Sequence, residues 1–187
     1  MSENSAEAAA PVLVVLAHPA LERSRANQAM ARAAETLPGV AVHDLYEEYP
    51  AFLIDVPAEQ ARLRAAEHIV LQFPLYWYST PALLKEWIDT VWLHGFAYGR
   101  GAECLAGKTL MVACSAGSPE SDYAPGGAHH FSLEELLRPL ERTAALCRMR
   151  WEKPFILHNS RVASPAALAA AVADYAGRLT ALAGIDA

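Results

Sequence analysis

The chain is poor in cysteine and in positive charge, and it carries no long apolar run. Its three cysteines, Cys104, Cys114 and Cys147, stand far apart and form no C-x-x-C pair. That pattern excludes a disulfide framework and a zinc knuckle, offers no metal site, and points to a reducing compartment. Fifteen Lys and Arg against 21 Asp and Glu leave a formal charge of −6. No attraction toward nucleic acid or an anionic membrane surface is expected. No apolar stretch approaches the ~18 residues needed to cross a bilayer. The opening residues also lack a basic region followed by an apolar one. The chain therefore reads as cytoplasmic. The first strand-to-helix junction contains neither G-x-x-x-x-G-K-[ST] nor G-x-G-x-x-G, which argues against a nucleotide triphosphatase or a standard Rossmann dehydrogenase. With no G-x-S-x-G elbow, nothing supports a hydrolase.

What is present suffices for one core: 187 residues at 53% hydrophobic content need no disulfide or metal to fold. Met1 to Ala10 is rich in Ala, Ser and Glu and reads as a disordered leader, with residues 11–187 as a single domain. Pro11 to Leu16 is apolar without alternation, as in a strand covered on both faces by helices. Ser24 is placed to cap a helix that Pro38-Gly39 stops, and Val40 to Leu45 follows as a strand. Asp55 with Pro57 opens a helix through Ala66, before a buried strand from His68 to Phe73. Thr80-Pro81 starts a helix whose Leu84, Trp87, Ile88, Val91 and Trp92 share one face. Lys108 to Cys114 is another strand, Ser132 to Glu135 a capping box, Pro154 to His158 a fifth strand, and Ser164-Pro165 heads the closing helix. Strands alternating with helices predict an α/β fold: a flavodoxin-like, three-layer, doubly wound sheet of five parallel strands in the order 2-1-3-4-5.

In such a sheet ligands bind beyond the carboxyl ends of the strands, so three segments are expected to converge. In the first, His18, Ser24 and Asn27 flank a helix N-terminus that suits a phosphomonoester; Ser24 as a plain N-cap and His18 as a turn residue fit the same spacing. In the second, Tyr76, Trp77 and Tyr78 follow Pro74 and Leu75, where they suit stacking on a flat heterocycle or burial in a core or subunit interface. In the third, Ser115, Ala116, Gly117 and Ser118 form a small-residue turn that a ligand can approach closely. Tyr123 and His129-His130 follow, residue types that move protons near neutral pH but that also occur idle in exposed loops.

The stretches A-H-P-x-x-x-x-S-x-x-N (Ala17 to Asn27), Q-x-P-x-x-W-Y-S-x-P (Gln72 to Pro81) and L-L-K-x-W-I-D (Leu83 to Asp89), followed by His94 to Gly99, carry a resemblance. Together they are similar to the NAD(P)H dehydrogenase (quinone) flavoproteins, and within them to the ancillary oxidoreductases of bacterial glutathione-gated potassium efflux systems. The resemblance runs from Val12 to about Leu182. It implies that His18, Ser24 and Asn27 line a flavin phosphate site, with backbone from Arg25 and Ala26. It further implies that Pro74, Leu75, Tyr76 and Trp77 flank the isoalloxazine. Ser115, Ala116, Gly117 and Ser118 stand where the family has Thr-Thr-Gly-Gly, and only Gly117 is retained in kind. Tyr123 and His129 keep the spacing of a catalytic Tyr and His that manage charge on the reduced ring. The implied cofactor is FMN, with FAD as the alternative, in a ping-pong cycle from NAD(P)H to a quinone or other small electrophile, within a homodimer. A second reading is a flavin-binding regulatory subunit of a potassium efflux transporter, held at the inner face of the membrane. A one-electron carrier of the flavodoxin type fits less well, since the chain lacks a strongly acidic docking patch.

Overall fold

Continuous β-branched and aliphatic runs place the strands, and interrupted, capped runs place the helices around them. A computed structural model describes residues 10–184. All of the expected leader except Ala10 lies outside the described residues. Parallel strands β1 (Val12–Leu16), β2 (Val40–Asp44), β3 (His68–Pro74) and β4 (Thr109–Ser115) form the body of the sheet. Two short pieces, β5 (Arg150–Trp151) and β6 (Phe155–Leu157), both lie along β4. The order is β2-β1-β3-β4-β5, with β6 also paired to β4.

The expected fifth strand, Pro154 to His158, is β6; the two-residue β5 ahead of it is additional, which gives the sheet six strands among the described residues. The registers Thr109↔Arg150 and Ala113↔Phe155 set one more residue on the outer edge than on β4. Pro154 sits in that break, having no N–H to give to a ladder.

Around the sheet run α1 (Arg25–Glu35), α2 (Leu45–Glu48), α3 (Val56–Ala65), α4 (Ala82–Val91), α5 (Leu133–Leu136), α6 (Arg138–Leu146) and α7 (Pro165–Leu182). Helix α2 was not foreseen; Asp44 caps it by accepting from the Tyr46 and Glu47 N–H groups. Ser132 and Glu135 form the expected capping box, but that helix ends after one turn and restarts as α6, which has proline in its first turn.

Strand alternation divides the core in two. Leu13, Val15, Ile69, Leu71, Phe73, Leu110 and Val112 pack against Leu63 of α3, Leu84 and Trp87 of α4, and Ala144 of α6. Val12, Val14, Val70, Met111 and Ala113 meet Met30 of α1 and Tyr175 and Leu179 of α7 on the opposite face. Each such fully buried aliphatic side chain contributes about 1.5–3 kcal/mol relative to exposure. The result is a rigid slab whose strand ends, and the loops leaving them, face one side.

Candidate functional site

The loops leaving β1, β3, β4 and β6 enclose two adjoining clefts. The first, of about 490 Å³, is lined by His18, Ser24, Arg25, Asn27, Pro74, Leu75, Tyr76, Ser115 and Gly117, together with Ala20, Arg23, Ser160 and Arg161. The second, of about 310 Å³, is lined by Trp77, Tyr78, Ser118, Tyr123 and His129, and shares Leu75, Gly117 and Arg161 with the first.

At the head of α1, Ser24 is extended and accepts from the Asn27 backbone N–H at 3.2 Å. The Arg25 and Ala26 N–H groups have no acceptor among the described residues. They point out of a helix of 11 residues, where free donors and the helix dipole favour an anion. Asn27 is buried; its amide donates to Ser24 Oγ at 3.1 Å and to Ser115 Oγ at 2.8 Å, while its Oδ1 is left without a partner. Beneath it, Gln72 Nε2 donates to the Asn27 carbonyl at 3.0 Å, and Gln72 Oε1 accepts from the Tyr175 hydroxyl at 3.0 Å. His18 Nδ1 accepts from the Ala20 N–H at 3.1 Å. Burial pushes the His18 imidazole below its ordinary range, against the opposing pull of Asp44 and Glu22. The neutral ring lies edge-on to Tyr76.

At the other end Trp77 and Tyr78 form a two-residue turn, with Tyr76 and Ser79 exchanging hydrogen bonds of 3.0 and 2.9 Å. Both central residues have positive φ, 47° and 64°. That conformation favours Asn-Gly, so two aromatics hold it under strain. Trp77 is 94% exposed. His129 Nε2 lies 3.0 Å from Ser118 Oγ and its Nδ1 3.3 Å from the Tyr78 hydroxyl. The Tyr123 ring packs on His129 at 4.4 Å between centroids. Burial raises the Tyr123 phenol above its usual range, with a hydrogen bond to Ser118 partly countering it.

The family model described as flavodoxin-like fold matches residues 10–179. The chain belongs to this family. It is 49% identical over 160 residues to the glutathione-regulated potassium-efflux system ancillary protein KefG of Cronobacter sakazakii, a match covering 86% of this chain and 87% of that protein. Among solved structures it is similar to general stress protein 14 of Treponema denticola in complex with FMN, with TM-score 0.86, 38% identity, and 91% and 98% of the two chains covered. It is also similar to an NADPH-quinone reductase from P. pentosaceus, with TM-score 0.83, 34% identity, and coverage of 90% and 97%.

In this flavodoxin-like chain the side chains of Ala116 and Ala26 turn away from the clefts, and of Ala26 only the backbone was expected there. The Ala116 side chain packs with Tyr123 and Leu133, and its N–H and carbonyl bond to Leu157 and Ser160. Strand alternation accounts for this: Ser115 and Gly117 face the cleft, so the residue between them faces the core. The Ala26 side chain is likewise buried, which leaves only its backbone N–H at the site. His130 lines neither cleft. Arg23, Ser160 and Arg161 escaped the sequence reading. The signal for the last two was positional, since they follow the last strand, whose carboxyl end lies on the same side as the others.

The donor set fits a flavin mononucleotide. Two free helix N–H groups and the Ser24 hydroxyl offer neutral donors to a phosphate, and Arg25 adds charge beside them. Gly117 lines both clefts, and its N–H has no acceptor among the described residues.

Proposed function

We propose that this protein is a flavin-dependent NAD(P)H:quinone oxidoreductase, with FMN as the cofactor and FAD as the alternative. The observation that carries it is the pairing of a phosphate-ready helix terminus with an adjoining aromatic and Tyr-His cleft that shares Leu75, Gly117 and Arg161 with it. The similarity to a general stress protein 14 in complex with FMN and to an NADPH-quinone reductase supports the reading. When bound, the flavin supplies hydride transfer, accepting from NAD(P)H and delivering to the acceptor in turn.

The rest is the work of this chain. His18, Ser24, Asn27 and the Arg25 and Ala26 backbone hold the phosphate and fix the cofactor's position. Pro74, Leu75, Tyr76 and Trp77 flank the ring, with Ser115, Gly117 and Ser118 along its other edge. Tyr123 donates a hydrogen bond where negative charge develops; both His129 nitrogens meet hydroxyls, of Ser118 and Tyr78, so the imidazole donates there by exchanging one of those bonds. The exposed aromatic turn suits an isologous homodimer that covers it.

The similarity to KefG favours a second role for the same protein, as an ancillary subunit docked on a potassium efflux transporter at the inner face of the membrane. Among the described residues no helix is long and apolar enough to cross a membrane, so such docking would be peripheral. The test is spectroscopic: load purified protein with FMN, remove the excess, then add NADPH anaerobically, followed by a quinone. Bleaching and recolouring support the enzyme. Protein that retains neither FMN nor FAD removes this reading and leaves the docking role.

A further inference from the structure

The two clefts share one charged side chain, Arg161. Its backbone belongs to the loop after β6, and that loop is fastened to the turn after β4. The Ser160 N–H donates to the Ala116 carbonyl at 2.9 Å, and the Asn159 N–H to the Ser118 carbonyl at 3.1 Å. The arginine stem then lies along Gly117. A Cβ built on that glycine would sit 3.4 Å from Arg161 Nε and 3.6 Å from Cδ. Those are ordinary contact distances, so the arginine stem lies against Gly117, at the junction between the phosphate-ready end and the Tyr123-His129 end.

No carboxylate lies within ion-pair distance of this guanidinium among the described residues, and no Asp or Glu lines either cleft. In a chain of net charge −6, an arginine left without an acidic neighbour beside a cleft implies an anionic ligand. The phosphate does not require it. That end already has two free N–H groups, Ser24, Arg23 and Arg25, and the two other arginines line the first cleft alone.

We propose that Arg161 is the fixed positive charge for the ring end of the flavin site. This assignment rests on the flavoenzyme reading above. Hydride transfer carries two electrons and one proton from NAD(P)H, which leaves as the oxidised nicotinamide, so the isoalloxazine gains one net negative charge. A guanidinium at the Gly117 junction binds that reduced form more tightly than the neutral oxidised ring. Tyr123 and His129 supply hydrogen bonds there, and Arg161 supplies charge on a planar fork of donors.

The test compares the wild-type protein with Arg161→Gln and Arg161→Lys. It measures dissociation constants for oxidised FMN and for riboflavin by fluorescence, and the two-electron midpoint potential of the FMN complex by anaerobic spectroelectrochemistry. Arg161→Gln is expected to weaken reduced FMN about tenfold relative to oxidised FMN, a fall in potential of ~30 mV. Oxidised riboflavin and oxidised FMN should change little, and Arg161→Lys should restore part of the potential. An unchanged potential overturns the assignment. So does a loss confined to FMN and equal in both redox states, which would place Arg161 on the phosphate. Wild-type protein that binds no flavin overturns the flavoenzyme reading itself, and this assignment with it.

Discussion

The Asn27 amide donates to Ser115 Oγ at 2.8 Å, joining the head of α1 to the end of β4 across 88 positions. This bond ties the free N–H groups at that helix head to the turn after β4, beside the Gln72 bond to the Asn27 carbonyl. Replacement Asn27→Ala leaves the buried Ser115 hydroxyl without that donor, while Ser24 keeps the backbone N–H of residue 27. The expected cost is about 1–3 kcal/mol, read as a lower urea midpoint. FMN affinity should fall about tenfold as the two loops lose register. Unchanged affinity would show that the loops are held by other bonds.

Much of the fold was legible because its signals are local. Continuous apolar runs announce strands buried on both faces, and Ser24, Asp55, Ser132 and Ser164 each accept from a backbone N–H at the head of a helix, as their spacing suggests. Helix α2 has only four residues, too short for a periodic pattern. The break at Pro154 depends on pairing with β4, which no local run encodes. The convergence of three loops followed from parallel topology, yet the same rule applied to the last strand and would have given Ser160 and Arg161. The inward turn of the Ala116 side chain is legible only from strand alternation, which assigns neighbouring residues of that stretch to opposite sides.

Tyr123 and His129 differ from the binding residues in what their loss should affect. Tyr123→Phe keeps the ring that packs on His129 and removes only the hydroxyl. His129→Gln keeps a donor but not the imidazole. Each is expected to slow flavin reduction by NADPH about 10–100-fold, measured by stopped flow, with FMN affinity within about threefold of wild type. A large loss of FMN affinity with an unchanged reduction rate would assign the pair to cofactor binding.

Glu59 supports the acidic limit of the fold. Its carboxylate is fully buried between α3, β2 and α4, accepting from the Tyr49 hydroxyl at 2.7 Å and Trp87 Nε1 at 2.8 Å, with His43 Nε2 at 2.9 Å and Arg62 Nε at 3.3 Å. Burial pushes this carboxyl up, but bonds from His43, Tyr49 and Trp87 together outweigh it, and the net shift is downward. A carboxyl held below its unfolded value of ~4.3 contributes stability that is present above that value. The contribution is lost as pH falls through the folded pKa. Glu59→Gln should cost about 3 kcal/mol at neutral pH and flatten the fall in stability below pH ~4.3. Chemical denaturation at neutral and acid pH checks both. A variant that loses stability equally at both would show that Glu59 titrates alike in the folded and unfolded chain.

The turn at Trp77 and Tyr78 is where the fold gives up stability for an exposed surface. Both residues hold positive φ, a conformation that costs non-glycine residues of order 1–3 kcal/mol each; Tyr78 meets His129, but Trp77 is 94% exposed, so packing within the chain does not offset its share. The double replacement Trp77→Asn with Tyr78→Gly supplies the pair this turn prefers. If nothing else covers the ring, the melting temperature should rise by about 2–4 °C for each kcal/mol of strain removed. FMN affinity should fall about tenfold with the loss of the aromatic flank. Calorimetry and sedimentation on the same samples separate the cases. A higher melting temperature at unchanged mass means the strain serves the ligand alone. A lower melting temperature together with a halved mass means the indole is buried by a second copy, and that the strained turn is stabilised by dimerisation.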